Sequence, residues 1–590
     1  DAGSIRLDTA RLRVQDGVTV SAQSNAGASG DAGDITVNAG ERVTLRSGGQ
    51  LSVETSSRGQ AGDITINTPR LTVARNAAIT ATATRTAAPT SRGGSIFLNA
   101  STMDLSGRVG VFAETQGDAP AGRLRLQPFG ADTELDITLR NAARVSASTT
   151  AIGDGGDLAI AAPERVRIQG DGSIAVETTG AGDAGDLSIQ TGRLDVFGDV
   201  TLSALSGAEA TGSGGNLDIL ADGVTIASGA EVTVSSIGAI AGDLRIDANR
   251  LRLENGRVSA STVSGQGGDI LLTDLSRAQL VDSAILASAE TGAAGRLRLT
   301  ATDEVALSNS RLSVEALAGG RAGDLRLQAG SLTVDDSAIT VSSPLGTAGN
   351  LAIAADTITL NNGEISAETG VNAGSGELSA NVGLMVQDLL VLRDNSIIAA
   401  QANAGANGGN IRIDASEGFI VADGRSNIDI IASAQLAGDG GRIDISTLRL
   451  FGLQERPGLF DALRANDTND ISASSEFGIS GTIIIDELGV DPVQRAAELP
   501  TDTSPPPLAQ GCRGTAGSSR FVDTRRGGLP TQTADLASGN RLWEAVGEPP
   551  EPSGAEPSPQ VIEAQGWRQT DQGQIILLAE TTEASGGCYQ

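Results

Sequence analysis

Histidine and lysine are both absent from this sequence, and aromatic residues make up only 2% of it. Without histidine there is no Ser-His-Asp or Cys-His nucleophile pair and no histidine-ligated zinc. Two Trp, one Tyr and nine Phe are too few for a compact core that draws volume from large rings. The only cysteines are Cys512 and Cys588, so nothing ahead of them is held by a disulfide. Basic residues are scarce and all are arginine: 42 against 72 acidic, a formal charge of -30. That balance argues against nucleic acid and against an anionic membrane surface. No apolar run approaches the roughly 20 residues of a transmembrane helix.

What is present is glycine, 77 residues of it, with Ala, Leu, Ile and Val. They recur in one word: small-Gly-polar-apolar-x-apolar. It reads Ala32-Gly33-Asp34-Ile35-Thr36-Val37, then Ala61-Gly62-Asp63-Ile64-Thr65-Ile66. It returns around Gly156-Asp157, Gly185-Asp186, Gly242-Asp243 and Gly323-Asp324, and last as Ser480-Gly481-Thr482-Ile483-Ile484-Ile485. From Gly3 to Gly481 there are about 17 copies at a mean spacing of roughly 30 residues, the range of solenoid repeats.

Each copy holds three short alternating segments. After Gly62 these carry Ile64 and Ile66, then Leu71 and Val73, then Ile79, Ala81 and Ala83. Period-two alternation marks strands with one buried face. Stacked copies therefore predict an all-β, right-handed parallel β-helix of three sheets over residues 1–490. About 17 rungs at ~4.8 Å would extend roughly 80 Å. Glycine in the turn is expected to supply positive φ. The Asp after it is expected to cap backbone N–H groups, a structural role rather than a calcium ladder. Variable Ser-, Thr-, Gly- and Ala-rich segments, such as Thr84 to Arg92 and Ala204 to Gly214, would form a ridge along one edge and are the natural place for binding.

The pattern changes near residue 490. Residues 491–511 read as a Pro-rich linker. Residues 512–590 read as a small module holding both Trp, the Tyr and a strand at Gln574–Ala579. Cys512 and Cys588 are candidates for a disulfide in an oxidising compartment, one that would staple a module of this size by roughly 4–5 kcal/mol. Two free thiols or a link to another chain are the alternatives. The chain opens inside a repeat, at Asp1-Ala2-Gly3-Ser4-Ile5, with neither Met nor signal peptide. We therefore expect the C-terminal part of a longer protein.

Several segments from about residue 390 onward resemble the filamentous haemagglutinin-like exoproteins of two-partner secretion, in particular the cyanobacterial type. They include Leu392-Arg393-Asp394-Asn395-Ser396-Ile397, Gly440-Gly441-Arg442-Ile443-Asp444-Ile445, Ile471-Ser472-Ala473-Ser474-Ser475-Glu476-Phe477-Gly478 and Val490-Asp491-Pro492. Gly511-Cys512, Arg526-Gly527-Gly528-Leu529-Pro530 and Glu563-Ala564-Gln565-Gly566-Trp567 add to them. The resemblance implies an upstream secretion domain and export through an outer-membrane β-barrel transporter. It also implies a surface-bound or extracellular location and adhesion to a glycan or cell receptor. In some relatives a C-terminal disulfide holds the protein at its pore.

The rival is a polysaccharide lyase or hydrolase, since β-helices host both. Such chemistry needs paired carboxylates in one groove. Asp335-Asp336 are adjacent on a strand and would face opposite ways; Asp154 and Asp157 flank a Gly-Gly turn as caps. No catalytic, cofactor or metal residue is assigned. The expectation is a non-enzymatic adhesive rod, with a structural surface-layer component as the alternative.

Overall fold

The structure is a computed structural model. It describes residues 1–488, except 108–109, 372–379, 404, 425–426 and 437, together with the strands Gly566–Gln569 and Ile575–Leu578. The chain divides into two compact units, Asp1–Ala497 and Glu498–Gln590.

The first unit is a β-solenoid of parallel coils. The coil after Gly156 shows how sequence makes one. In the strand Leu158–Gly170, Leu158, Ile160 and Ala162 point inward, then Val166 and Ile168. In Ser173–Thr178, Ile174, Val176 and Thr178 do the same. The coil pairs in register with the next, placing Leu158 beside Leu187, Ile160 beside Ile189, Ile168 beside Val196 and Ile174 beside Leu202. Each inward side chain thus stacks on one of its own size, and slim aliphatics fill the interior that aromatics would overfill.

The repeat pattern predicts three sheets. Three segments per coil are present, but in most coils the first two form one continuous strand. At the bend between them some neighbouring levels slip by one residue, as at Ala162/Arg165, while others, such as Leu187–Gly198 against Leu217–Ala227, stay in register, and pairing continues beyond it. The first two segments therefore build one bent 20-stranded sheet, and the third builds a second ladder. Only three levels are cut at the bend: Ile64–Asn67 from Arg70–Ala74, Ile96–Asn99 from Thr102–Ser106, and Leu124–Gln127 from Glu134–Arg140. Pro69, which lacks an N–H, sits at the first cut. The long sheet so has 17 levels. The solenoid makes about 15 turns, against the roughly 17 rungs expected.

The glycine column has a different cause from the one expected. Gly33, Gly62, Gly156, Gly185, Gly242 and Gly323 are not among the residues with positive φ. A Cβ on Gly62 would instead overlap the Gly33 carbonyl oxygen, and one on Gly156 that of Gly122. The same holds for Gly185 against Gly156 and Gly242 against Gly215. Backbones pass too closely between coils for any side chain. The left-handed conformation occurs at another corner, before the second ladder, and is taken by Asn and Asp: Asn255 (φ 51°), Asp282 (49°), Asn309 (47°), Asp336 (47°) and Asn362 (47°). Behind this corner lie buried serines. Ser283 Oγ accepts from Gly256 N–H at 3.1 Å and donates to Val281 O at 2.6 Å; Ser310 and Ser337 repeat the arrangement.

The last coils carry an insertion. The short strand Gln454–Glu455 pairs with Asp470–Ser472, which pairs on its other side with Asp429–Ile431. It thereby covers the C-terminal edge of the second ladder. The helix α1 (Phe460–Arg464) lays Leu463 and Phe460 on Ile397, Ala399 and Ile431. Ala399 and Ile431 are apolar where the helix covers them, whereas Ser313, Thr340 and Ser366 hold the same column in earlier coils. In the second unit, Gly566–Gln569 pairs antiparallel with Ile575–Leu578, inside the strand expected at Gln574–Ala579. Cys512, Cys588 and the linker lie outside the described residues.

Candidate functional surfaces

The Asp column at the glycine corner links coils. Asp34 Oδ1 accepts from Asp63 N–H at 2.9 Å, and Asp63 Oδ1 from Ser95 N–H at 2.8 Å. Asp157 serves Asp186, Asp186 serves Asn216, Asp243 serves Asp269 and Asp324 serves Asn350 in the same way. The caps reach a whole coil ahead, not within one turn. Asp154 likewise accepts from Asp183 N–H at 3.1 Å. Asp335 ends its strand and Asp336 lies in the following turn; their carboxylates accept from the amides of Asn361 and Asn362. Among the described residues no group of three or more acidic or cysteine side chains is placed to hold a metal ion. No helix among them is long and apolar enough to cross a membrane.

The outer faces differ along the unit. Near the N-terminus, Asp8, Asn38, Asn67 and Asn99 share one outward column. Asn38 Nδ2 donates to Asp8, Asn67 Nδ2 to Asn38 at 2.8 Å, and Asn99 Nδ2 to Asn67 at 2.6 Å. The column spends its polar groups on itself. On the second ladder an outward hydroxyl column, including Ser146, Ser203, Thr233 and Ser259, is shielded by longer neighbours; Ser203 donates to Glu177. There burial pushes the Glu114 carboxyl above its usual range, Glu177 adds to the shift, and Ser146 and Arg144 oppose it.

Among the concave regions on the bent sheet, two are larger than the acidic hollow of about 350 Å³ around Asp356, Asp414 and Glu417. One, of about 790 Å³, follows the bend past Gly192, Ala221 and Ala248, with Asp132, Asp222 and Asp274 at its sides. Beyond it, burial raises the Asp218 carboxyl, aided by Asp186 and Asp243 and opposed by Arg245 and its charge. The other is a trough of about 510 Å³ on the outer face of the first segments, floored by Ala352, Ala354 and Gly383 with arginines on either side.

The loop ridge after the second ladder also changes. Its first loops are polar, as at Ser56-Ser57-Arg58, an aliphatic first appears at Ile152 (65% exposed), and the strand Thr201–Ser206 takes the first residues of the segment expected to begin at Ala204. Later loops expose aliphatics: Ile240 (54%), Leu317 (58%), Leu345 (62%) and Val371 (50%). The ridge was expected from the variable segments, though not its exposed aliphatics, and the trough was not legible from the repeat word. The trough residues occupy outward positions, which the word leaves free; only a coil-by-coil alignment of those positions reveals them.

Comparison of the chain with protein-family models, with curated proteins and with solved structures gave no match.

Proposed function

We propose that this chain is the rod of a secreted or surface-displayed exoprotein of the filamentous haemagglutinin-like kind. It passes an outer-membrane β-barrel transporter and adheres to a surface glycan or cell receptor through its outer faces; it performs no chemistry. The observation that carries this reading is the parallel ladder from Ile5 to Glu487, which passes through every level with its variable loops held to one edge. Such a solenoid folds by adding coils to a finished neighbour, and no cysteine precedes Cys512 to lock the chain early. Both features suit a chain that crosses a pore unfolded.

Cell fractionation of the native full-length protein, with and without the neighbouring candidate transporter gene, tests the reading. We expect intact protein at the surface or in the medium, lost when the transporter is deleted. Protein in the cytoplasm, or indifferent to the deletion, sinks the export reading. A second reading, a structural layer component, is favoured by the aliphatic ridge. Sedimentation of Leu317→Ser/Leu345→Ser beside the parent chain separates the two, because lateral association through the ridge would fall in the variant.

A further inference from the structure

We propose that the arginine-walled trough on the outer face of coils 11 to 15 binds a carboxylated polysaccharide, seating a uronate ring on its floor. The proposal names a ligand class for the adhesive role proposed above and rests on that reading.

The ladder places Arg298 beside Arg326, Arg326 beside Ala352, Ala352 beside Gly383 and Gly383 beside Arg412. In the neighbouring outward column, Ala354 stands beside Met385. In the arginine column two successive levels thus carry only Ala352 and Gly383 between the arginines, while Met385 rises beside Gly383 in the next column. Arg326 and Arg412 are three strand spacings apart, about 14 Å, a gap that admits a sugar ring lying flat. The floor is apolar, and Met385, 65% exposed, stands at its edge.

The walls are cationic on a chain whose net charge is -30. Arg298 has no acidic partner within 4 Å among the described residues. Arg326 reaches Asp324 only at 3.6 Å and Arg412 reaches Asp414, which also lines the trough, only at 3.8 Å; both guanidinium groups are well exposed. Exposed pairs at such distances contribute little, so the guanidinium groups keep donors for a ligand. A planar guanidinium matches a carboxylate in two parallel hydrogen bonds, while small floor residues admit the C–H face of a ring. At the glycine corner of the two floor levels, Asn381 Nδ2 donates to Asn350 Oδ1 at 2.8 Å. An acidic peptide would satisfy the arginines but has no flat apolar face to set on Ala352 and Gly383. Charge complementarity together with that floor selects the glycan.

The test uses the purified 590-residue chain and immobilised alginate and polygalacturonate, with methyl-esterified polygalacturonate as the neutral control. We expect binding to both acidic polymers, weakening with salt, and none to the ester. Arg298→Gln/Arg326→Gln/Arg412→Gln should weaken it at least tenfold. Gly383→Glu should do the same with every arginine in place. A Cβ at Gly383 finds its nearest atom, Leu351 O, 4.0 Å away, so this second variant keeps the fold; circular dichroism and melting check both. Three results would each overturn the proposal: no binding to either polymer, unchanged binding in both variants, or equal competition by polyglutamate. Purified protein need not have been exported, so failure of the export reading leaves this result standing.

Discussion

One outward column of the long sheet holds Asp8, Asn38, Asn67 and Asn99 in its first four levels, and Thr300, Gln328, Ala354, Met385 and Asp414 in levels 11 to 15. The backbone is the same in both places, parallel and in register. Where like residues repeat, each amide bonds the next and the side chains are tied to one another. Where the repeat is broken, small residues leave a trough and arginines face solvent. Regularity in a solenoid supplies stability, and departure from it supplies recognition.

Glycines put that contrast to its hardest test. At Gly156 the neighbouring coil's carbonyl occupies the place of a Cβ, whereas Gly383 has open space. Overlap with backbone is not relieved by rotating a side chain. Gly156→Ala should cost about 3 kcal/mol or more, and Gly383→Ala should stay within about 0.5 kcal/mol. Urea unfolding of both variants reads the difference. Equal costs would mean that the coils slide apart readily and that the glycine column is not a steric requirement.

The C-terminal insertion is the second departure from the repeat, and there a charge takes the place of the ladder. Asp429 is fully buried, and Arg464 meets it at 3.0 Å while also donating to Asn427 O and Asn395 O. Burial raises the Asp429 carboxyl even so, with Arg464 pulling it back. Removing one partner of such a pair strands the other, so Arg464→Ala should cost about 3 kcal/mol. The loss should be local. Amide exchange is expected to speed up in residues 456–472 and to stay unchanged in the early coils.

Much of this fold could be read from the chain, because one rule repeats. Ile64, Ile66, Leu71, Val73 and Ile79 were assigned inward by alternation, and all are buried. The solenoid follows from that alone. The merging of two segments into one strand did not follow, since alternation on either side of a bend reads the same whether backbone pairing continues through it or stops. Nor did the cause of the glycine column, because a residue without a side chain serves positive φ and close approach equally well in sequence. The trough was illegible for a third reason. Arg298, Gly383 and Arg412 lie more than 110 positions apart from first to last, and only the coil register makes them neighbours.

Within the repeated region the asparagine column should yield a smaller, graded effect. Asn67 takes part in two side-chain bonds, one donated and one accepted. Asn67→Ala should therefore lose about 1–2 kcal/mol, seen as a lower urea midpoint. The reverse change in the broken region, Ala354→Asn, should shift the midpoint little, because Gln328 and Met385 on either side continue no asparagine ladder. A gain there equal to the loss at Asn67 would show that one amide strengthens the stack wherever it is placed.

The smallest effect is a dependence on pH at Glu114, again where outward side chains crowd the second ladder. Burial is the leading cause of its raised pKa. Glu177 adds like charge, and Arg144 and Ser146 offset part of the shift. The sign follows from proton linkage. Between the ordinary glutamate value and the raised one, the folded chain binds more protons than the unfolded chain, so stability falls as pH rises through that window. Below the window Glu114 is protonated in both states and resembles glutamine. Glu114→Gln should therefore match the parent at low pH and exceed its stability at pH 7, measured as urea midpoints across the range. If Glu114→Gln is instead less stable at pH 7, then Arg144 holds the carboxylate as a paired anion, and this crowded stretch of the ladder satisfies itself as fully as the asparagine column does.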